Sequence, residues 1–255
     1  MTQSKAEIAA TLDTAAKEHT AIQQLALQDH FSLAEAYDIQ AMSIDRRIDR
    51  GEVITGYKLG FTSKAKMEQM GVHEIIWGRL TDAMAIDNGG QMNSERFIHP
   101  RVEPEIAFLV KRDIDHELSL SDIGDCIDKM AGALEVIDSR YMDFKFSLAD
   151  VVADNCSSSA YVIGEWHELN DRVGSIDLEM VINQDQLVVG NSSAILGSPL
   201  NALIEISKIM ARNKMVIPAG AILLAGAATA ASYIHPGDQI RARFDGLGEV
   251  SLSVE

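Results

Sequence analysis

Val102-Glu-Pro-Glu-Ile-Ala-Phe-Leu-Val110 is apolar apart from Glu103 and Glu105, and it reads as a buried β-strand. Side chains alternate faces along a strand, so Glu103 and Glu105 share one face about 7 Å apart, while Ile106 and Phe108 take the other. A second apolar run, Ala133-Leu-Glu-Val-Ile-Asp-Ser-Arg140, carries Glu135, 30 residues after Glu105. Carboxylates on apolar strands are costly to keep ionised without a counter-charge. Three convergent carboxylates with no Cys or His beside them suit a hard divalent cation, Mg²⁺ or Mn²⁺. The competing reading pairs one glutamate with a buried Lys or Arg and lets the others reach solvent, since structural ion pairs are also common.

Outward from these strands, the pattern is α+β. Ser4-x-x-Glu7 and Ser32-x-x-Glu35 are capping boxes that open two amphipathic helices, the second running from about Leu33 to Arg50 and stopping at Gly51. Residues 1–52 therefore form an N-terminal helical region, and 53–255 a β-rich domain. Val53–Gly60 reads as a strand, Thr62–Met70 as a short helix, Asp87–Gly90 as a turn and Leu120–Met130 as a region with a short helix. Ile176–Asn183 and Gln186–Gly190 form a hairpin about Gln184-Asp185, and Pro199–Arg212 is an amphipathic helix with proline at its start. Ala221–Ala225, Gln239–Phe244 and Glu249–Val254 return to strands. No regular βαβ alternation appears, which disfavours a doubly wound sheet. Gly220, Gly226, Gly237, Gly246 and Gly248 suit the corners of a mixed, rolled, barrel-like sheet.

Composition narrows the function. A net charge of −16 argues against nucleic acid or an anionic membrane as partner, since both need a basic footprint. The two cysteines, Cys126 and Cys156, are expected to be reduced thiols. The N-terminal residues lack the apolar core of a signal peptide and no uninterrupted apolar run is long enough to span a bilayer, so a cytoplasmic protein is expected. There is no Gly-x-Gly-x-x-Gly, Walker loop or Gly-x-Ser-x-Gly, which removes support for nucleotide cofactors and for a serine nucleophile. Lys58, in an apolar strand beside glycine, is a candidate desolvated cation, although a salt-bridged or snorkelling lysine is the commoner case. Asp154, Asn155 and Ser157 form a polar patch that fits either a site or a capped turn, and spacing favours the turn. His99, ahead of Pro100, reads as a loop residue.

Several motifs combine into a resemblance over nearly the entire chain. Lys58-Leu-Gly-Phe-Thr-Ser63, Lys66-Met-x-x-Met-Gly71, Ile98-His-Pro-Arg-Val-Glu-Pro-Glu-Ile106, Glu135-Val-Ile-Asp-Ser-Arg140, Val152-Ala-Asp-Asn155 and Pro236-Gly-Asp238 resemble the hydratase/decarboxylase family of meta-cleavage pathways, within the fumarylacetoacetase-like superfamily. The resemblance implies a rolled β core with N-terminal helices and an Mg²⁺ or Mn²⁺ site on Glu103, Glu105 and Glu135. It implies Lys58, Asp154 and Ser157 as catalytic residues, and Leu59, Thr62, Ser63, Arg140 and Asn155 as substrate-binding residues. One branch hydrates 2-hydroxypenta-2,4-dienoate; the other decarboxylates 2-oxo-3-hexenedioate to that dienoate. The hydratase aspartate would fall at Ile76, within Gly71–Gly78, so the decarboxylase branch is expected. Ser139–Phe146 and Lys66–Met70 also resemble that branch. Pro104 stands where a small residue is more usual, and Ala225–Ala231 matches the branch only in part. The expected partners are a small 2-oxo dicarboxylic acid, further copies of the chain in a homo-oligomer, and a hydratase.

Overall fold

Both capping boxes form. In the computed structural model, which describes residues 3–26, 30–63 and 74–255, the Ser4 hydroxyl accepts from Glu7 N–H and the Glu7 carboxylate accepts from Ser4 N–H. Helix α1 (Lys5–Glu18) follows, and Ser32 and Glu35 start α2 (Leu33–Ile48) in the same way. Helix α2 ends ahead of Arg50, and the chain turns through Gly51 at φ +103°, a conformation glycine adopts freely. Asp13 of α1, almost wholly buried, holds Arg46 and Arg50 at 3.0 and 2.6 Å and ties the helices together. Their apolar faces (Ile8, Leu12, Ala36, Ile39) pack on Tyr141 and on Val151 and Val152 of the short helix Leu148–Ala153.

The remaining elements are β1 (Ile54–Gly60), β2 (Ile76–Thr81), β3 (Ala85–Ile86), β4 (Gly90–Met92), β5 (Arg101–Val110), α3 (Ile123–Cys126), β6 (Ile127–Ile137), α4 (Leu148–Ala153), β7 (Ser158–Ile163), β8 (His167–Glu168), β9 (Asp177–Ile182), β10 (Gln186–Asn191), α5 (Pro199–Arg212), β11 (Ile222–Ala227), β12 (Ser232–Tyr233), β13 (Gln239–Phe244) and β14 (Gly248–Val254). A rolled mixed sheet runs β2-β1-β11-β5-β6-β7-β3, with β12 on β5 and β8 on β6. A second sheet, β10-β9-β13-β14-β4, packs on it. At that junction the Phe244 ring sits where a Cβ on Gly132 would lie 2.4 Å from it, so β6 needs glycine there.

The hairpin about Gln184-Asp185 and helix Pro199–Arg212 fall where the sequence puts them. The helix expected near Leu120–Met130 shrinks to the single turn α3. Ile127–Met130 are strand instead, because pairing Phe108 with Met130 and Val110 with Ile127 lengthens the β5–β6 ladder. The short helix at Thr62–Met70, the Lys66–Gly71 motif and Gly71–His73 fall on or run into residues 64–73, outside the described residues. Ser192–Arg212 has the length and composition of a membrane-crossing helix, but Ala202, Leu203, Ile206 and Met210 within it are buried in the core. Cys126 and Cys156 are buried free thiols.

Candidate active site and metal centre

β5 and β6 run antiparallel with Glu103 directly opposite Glu135 and Glu105 opposite Ala133. Since Glu103 and Glu105 already share a face, this register brings all three carboxylates together. One oxygen from each lies within 4.8 Å of the others, and all three residues are buried. Lys58 comes from β1, separated from β6 by β11 and β5. Three strand spacings would be about 14 Å in a flat sheet. Lys58 Nζ nevertheless stands 3.0 Å from Glu135 Oε2, so the curl of the sheet closes the distance and the site lies on its concave face.

Glu105 Oε2 accepts the Gly226 N–H at 2.8 Å. Gly226 sits at an irregularity in the β11–β5 register with φ +102°, and a Cβ there would lie 2.1 Å from Thr62 Oγ1. Only glycine permits both the turn and this close approach. Glu105 Oε1 and Glu135 Oε1 are buried with no hydrogen-bond partner among the described residues.

The electrostatics follow from burial. Desolvation raises the Glu105 carboxyl well above its ordinary range, Glu135 and Glu103 add to this, and Lys58 and Gly226 pull back. Desolvation likewise raises Glu135, against the pull of Lys58. Burial works to lower Lys58, but Glu135 foremost, with Glu103 and Glu105, outweighs it, and the ammonium ends above its usual value. Partnerless buried carboxylate oxygens within one ion's reach, with hard oxygen donors throughout, fit Mg²⁺ or Mn²⁺.

A cleft of about 110 Å³ opens on this cluster. Of the residues singled out in the sequence, Lys58, Leu59, Thr62, Glu103 and Ser157 line it, and so does Ile76. Ser157 Oγ is buried with no hydrogen-bond partner among the described residues, and Ser63 lies half-buried beside Thr62. Arg140, Asp154 and Asn155 lie elsewhere. The Arg140 guanidinium holds Asp154 through Nε, the Asp138 carbonyl at 2.6 Å, Ser159 Oγ at 2.7 Å and the Asp154 carbonyl at 2.5 Å. It borders a separate cavity of about 590 Å³. Burial raises the Asp154 carboxyl to about 6 even with Arg140 drawing it down. Asn155 binds the Arg79 backbone, accepting at 2.7 Å and donating at 2.9 Å. Asn155, Cys156 and Ser157 are all left-handed (φ +49°, +53° and +58°), a turn that brings Ser157 to the cleft while Asn155 anchors β2.

Sequence reasoning missed the cleft walls Phe144 and Phe146 and the Gly226 donor. The aromatic pair in Tyr141-Met-Asp-Phe-Lys-Phe146 was visible, but its face was not readable from irregular chain. Gly226 was read only as a corner.

The profile of the "Fumarylacetoacetate (FAA) hydrolase C-terminal" family matches residues 63–255. A 4-oxalocrotonate decarboxylase from Pseudomonas sp. is 43% identical over 246 residues, covering 96% of both chains. A 2-keto-4-pentenoate hydratase from Paraburkholderia xenovorans (strain LB400) is 32% identical, over 90% of this chain and 87% of its own. Among solved structures, 4-oxalocrotonate decarboxylase from Pseudomonas putida G7, complexed with magnesium and adipate, superposes with a TM-score of 0.94 at 35% identity, covering 98% of this chain and 97% of its own.

Proposed function

This chain belongs to the fumarylacetoacetate (FAA) hydrolase family, and on that premise we propose that Glu103, Glu105 and Glu135 hold the divalent cation of a decarboxylase. It is a carboxy-lyase that converts 2-oxo-3-hexenedioate (4-oxalocrotonate) to 2-hydroxypenta-2,4-dienoate and CO₂ in aromatic meta-cleavage catabolism. The observation that carries the metal assignment is the pair of buried, partnerless oxygens on Glu105 and Glu135 within the triad.

In the reaction the C5–C6 bond breaks, its electron pair forms C4=C5, the C3=C4 pair shifts to C2=C3, and the C2 oxygen takes up the charge and then a proton. A Mg²⁺ or Mn²⁺ held by Glu103, Glu105 and Glu135 would supply Lewis acidity at the 2-oxo acid end of the substrate. The protein's own groups arrange the rest. Gly226 N–H fixes the orientation of Glu105. Lys58, charged at neutral pH, places positive charge where the oxygen gains negative charge, and each ~1.4 kcal/mol so gained is tenfold in rate. Ser157 Oγ and Thr62 offer hydrogen bonds along the cleft, Leu59 lines it, and Ser63, next to Thr62 in the chain, contributes to substrate binding. Ile76, Phe144 and Phe146 keep that cleft apolar. Ile76 cannot deliver or accept a proton, which favours loss of CO₂ over addition of water. Arg140, Asp154 and Asn155 position the turn that carries Ser157.

Around the site, α1 and α2 in residues 1–52 form a helical region packed on the catalytic part, 53–255. We assign the protein to the cytoplasm, as a homo-oligomer that associates with the hydratase consuming its product. The test is chelator-treated protein with 2-oxo-3-hexenedioate, with and without Mg²⁺ or Mn²⁺, following CO₂ and the dienoate. Metal-dependent CO₂ release supports the reading. Inertness toward that substrate with consumption of 2-hydroxypenta-2,4-dienoate would make the chain a hydratase, and activity residing only in a co-purifying partner would make it a non-catalytic metal-binding subunit.

A further inference from the structure

Arg101 begins β5, two residues before Glu103 and four before Glu105, so its side chain leaves the strand on the carboxylate face. It is a cation beside an acidic centre, yet no carboxylate among the described residues pairs with it. The guanidinium is instead held between two rings, its Cζ 4.0 Å from the centre of Phe144 and 4.1 Å from that of Tyr233, with a hydrogen bond from Nη2 to the Tyr233 hydroxyl. Arg101 Nε is shielded from solvent and has no hydrogen-bond partner among the described residues. A buried N–H on a charged group without an acceptor is uncommon and costly. The His99 ring lies 5.0 Å from that of Phe144, and its Nε2 is also buried with no hydrogen-bond partner among the described residues. Phe144 itself walls the cleft, and both it and Asp143 have φ +57°, a strained conformation for residues other than glycine.

We propose that Arg101, supported by His99, reads the second carboxylate of the substrate at the end of the cleft walled by Phe144. This rests on the decarboxylase reading and deepens it. The step from Glu103 to Arg101 is about 7 Å along the strand, which matches the separation of the two carboxylates in an extended six-carbon diacid. One end of such a diacid lies at the glutamate cluster, and the other meets a guanidinium with an unused N–H, the geometry arginine offers to carboxylates. The guanidinium is one ring from the cleft, so a modest rotation of Phe144 joins them, and the strained backbone beneath that ring is where such movement belongs. Selection for a dicarboxylate over a monocarboxylate follows from the charge.

A cation on the carboxylate that departs as neutral CO₂ stabilises the ground state more than the transition state. Its removal therefore raises KM without lowering kcat, the opposite of removing a group at the C2 oxygen. The test uses Mg²⁺-loaded protein and calorimetric titration with adipate and with hexanoate. Wild type should prefer adipate at least tenfold. R101Q should bring the two affinities within about twofold by weakening adipate alone, R101K should restore part of the preference, and R101Q should raise KM at least tenfold with kcat unchanged or higher. Equal weakening of both acids would make Arg101 a mere support for Phe144 and overturn the proposal, as would an unchanged preference. Should R101Q fail to fold, adipate against its monoamide in wild type decides: equal affinities overturn it. Loss of the preference in R101Q without any wild-type turnover would sink the decarboxylase reading and leave the subsite standing, whereas normal turnover with an unchanged preference would sink the subsite alone.

Discussion

Arg140 and Asp154 are buried, like Glu105 and Glu135, yet the two clusters differ in what their polar atoms find. Around Arg140 the guanidinium meets the Asp154 carboxylate, two carbonyls and Ser159. Around the glutamates, Glu105 has one backbone donor, Glu135 has Lys58, and an oxygen on each finds no hydrogen-bond partner among the described residues. Unsatisfied buried charge costs stability that a satisfied cluster does not. The first cluster is therefore complete as folded and holds a turn in place; the second is complete only with a cation. Function is legible in the deficit.

The largest effects should come from breaking each cluster, and they should differ in kind. E105Q should lower kcat/KM at least a hundredfold and abolish Mg²⁺ binding by calorimetry, while raising the melting temperature of the metal-free protein by removing a buried charge. D154N leaves Arg140 buried without its counter-ion and should cost about 3–5 kcal/mol in denaturant unfolding. Whatever remains folded should bind Mg²⁺ with nearly unchanged affinity. If E105Q destabilised the metal-free protein as D154N does, the contrast between the clusters would be lost.

Next in size is the pH response of the metal-free protein. The folded-state values of Glu105 and Glu135 are raised, so their contribution is fully present below the unfolded carboxylate pKa and is lost as pH climbs through the raised values. Melting temperature without metal should fall as pH rises above the ordinary carboxylate range, and added Mg²⁺ should reverse the fall. Binding should release protons, measurable as a heat that changes with the ionisation enthalpy of the buffer. A metal-free melting temperature flat over that range would contradict the raised values.

S157A is the mild case. Its hydroxyl lines the cleft without a partner, so stability should hold, and loss of one substrate hydrogen bond of roughly 1 kcal/mol should reduce kcat/KM several-fold. A large loss of stability would place Ser157 with the Arg140 cluster instead.

These contrasts also mark where sequence reading stops. Ser4–Glu7 and Ser32–Glu35 declare their helices because a capping box is complete within four residues. Glu103 and Glu105 declare a shared face because alternation is local. Glu135 joins them through strand register, which its apolar setting hinted at and pairing decides. Ile127–Met130 were misjudged for the same reason: their state is set by partners on β5. The Arg140–Asp154 pair, the Phe144 wall and the reach of Lys58 across two strands depend on contacts between distant segments. Arg101 stands in plain view in the Pro100-Arg-Val-Glu motif, but only the fold shows its guanidinium against the rings of Phe144 and Tyr233.

The most direct test is a Mn²⁺ titration of chelator-treated wild type and E105Q, followed by the electron paramagnetic resonance of free Mn²⁺. One ion bound per wild-type chain, lost in E105Q together with CO₂ release from 2-oxo-3-hexenedioate, is the predicted result. An E105Q chain that still binds one Mn²⁺ with wild-type affinity would contradict the assignment of the glutamate cluster as the metal centre.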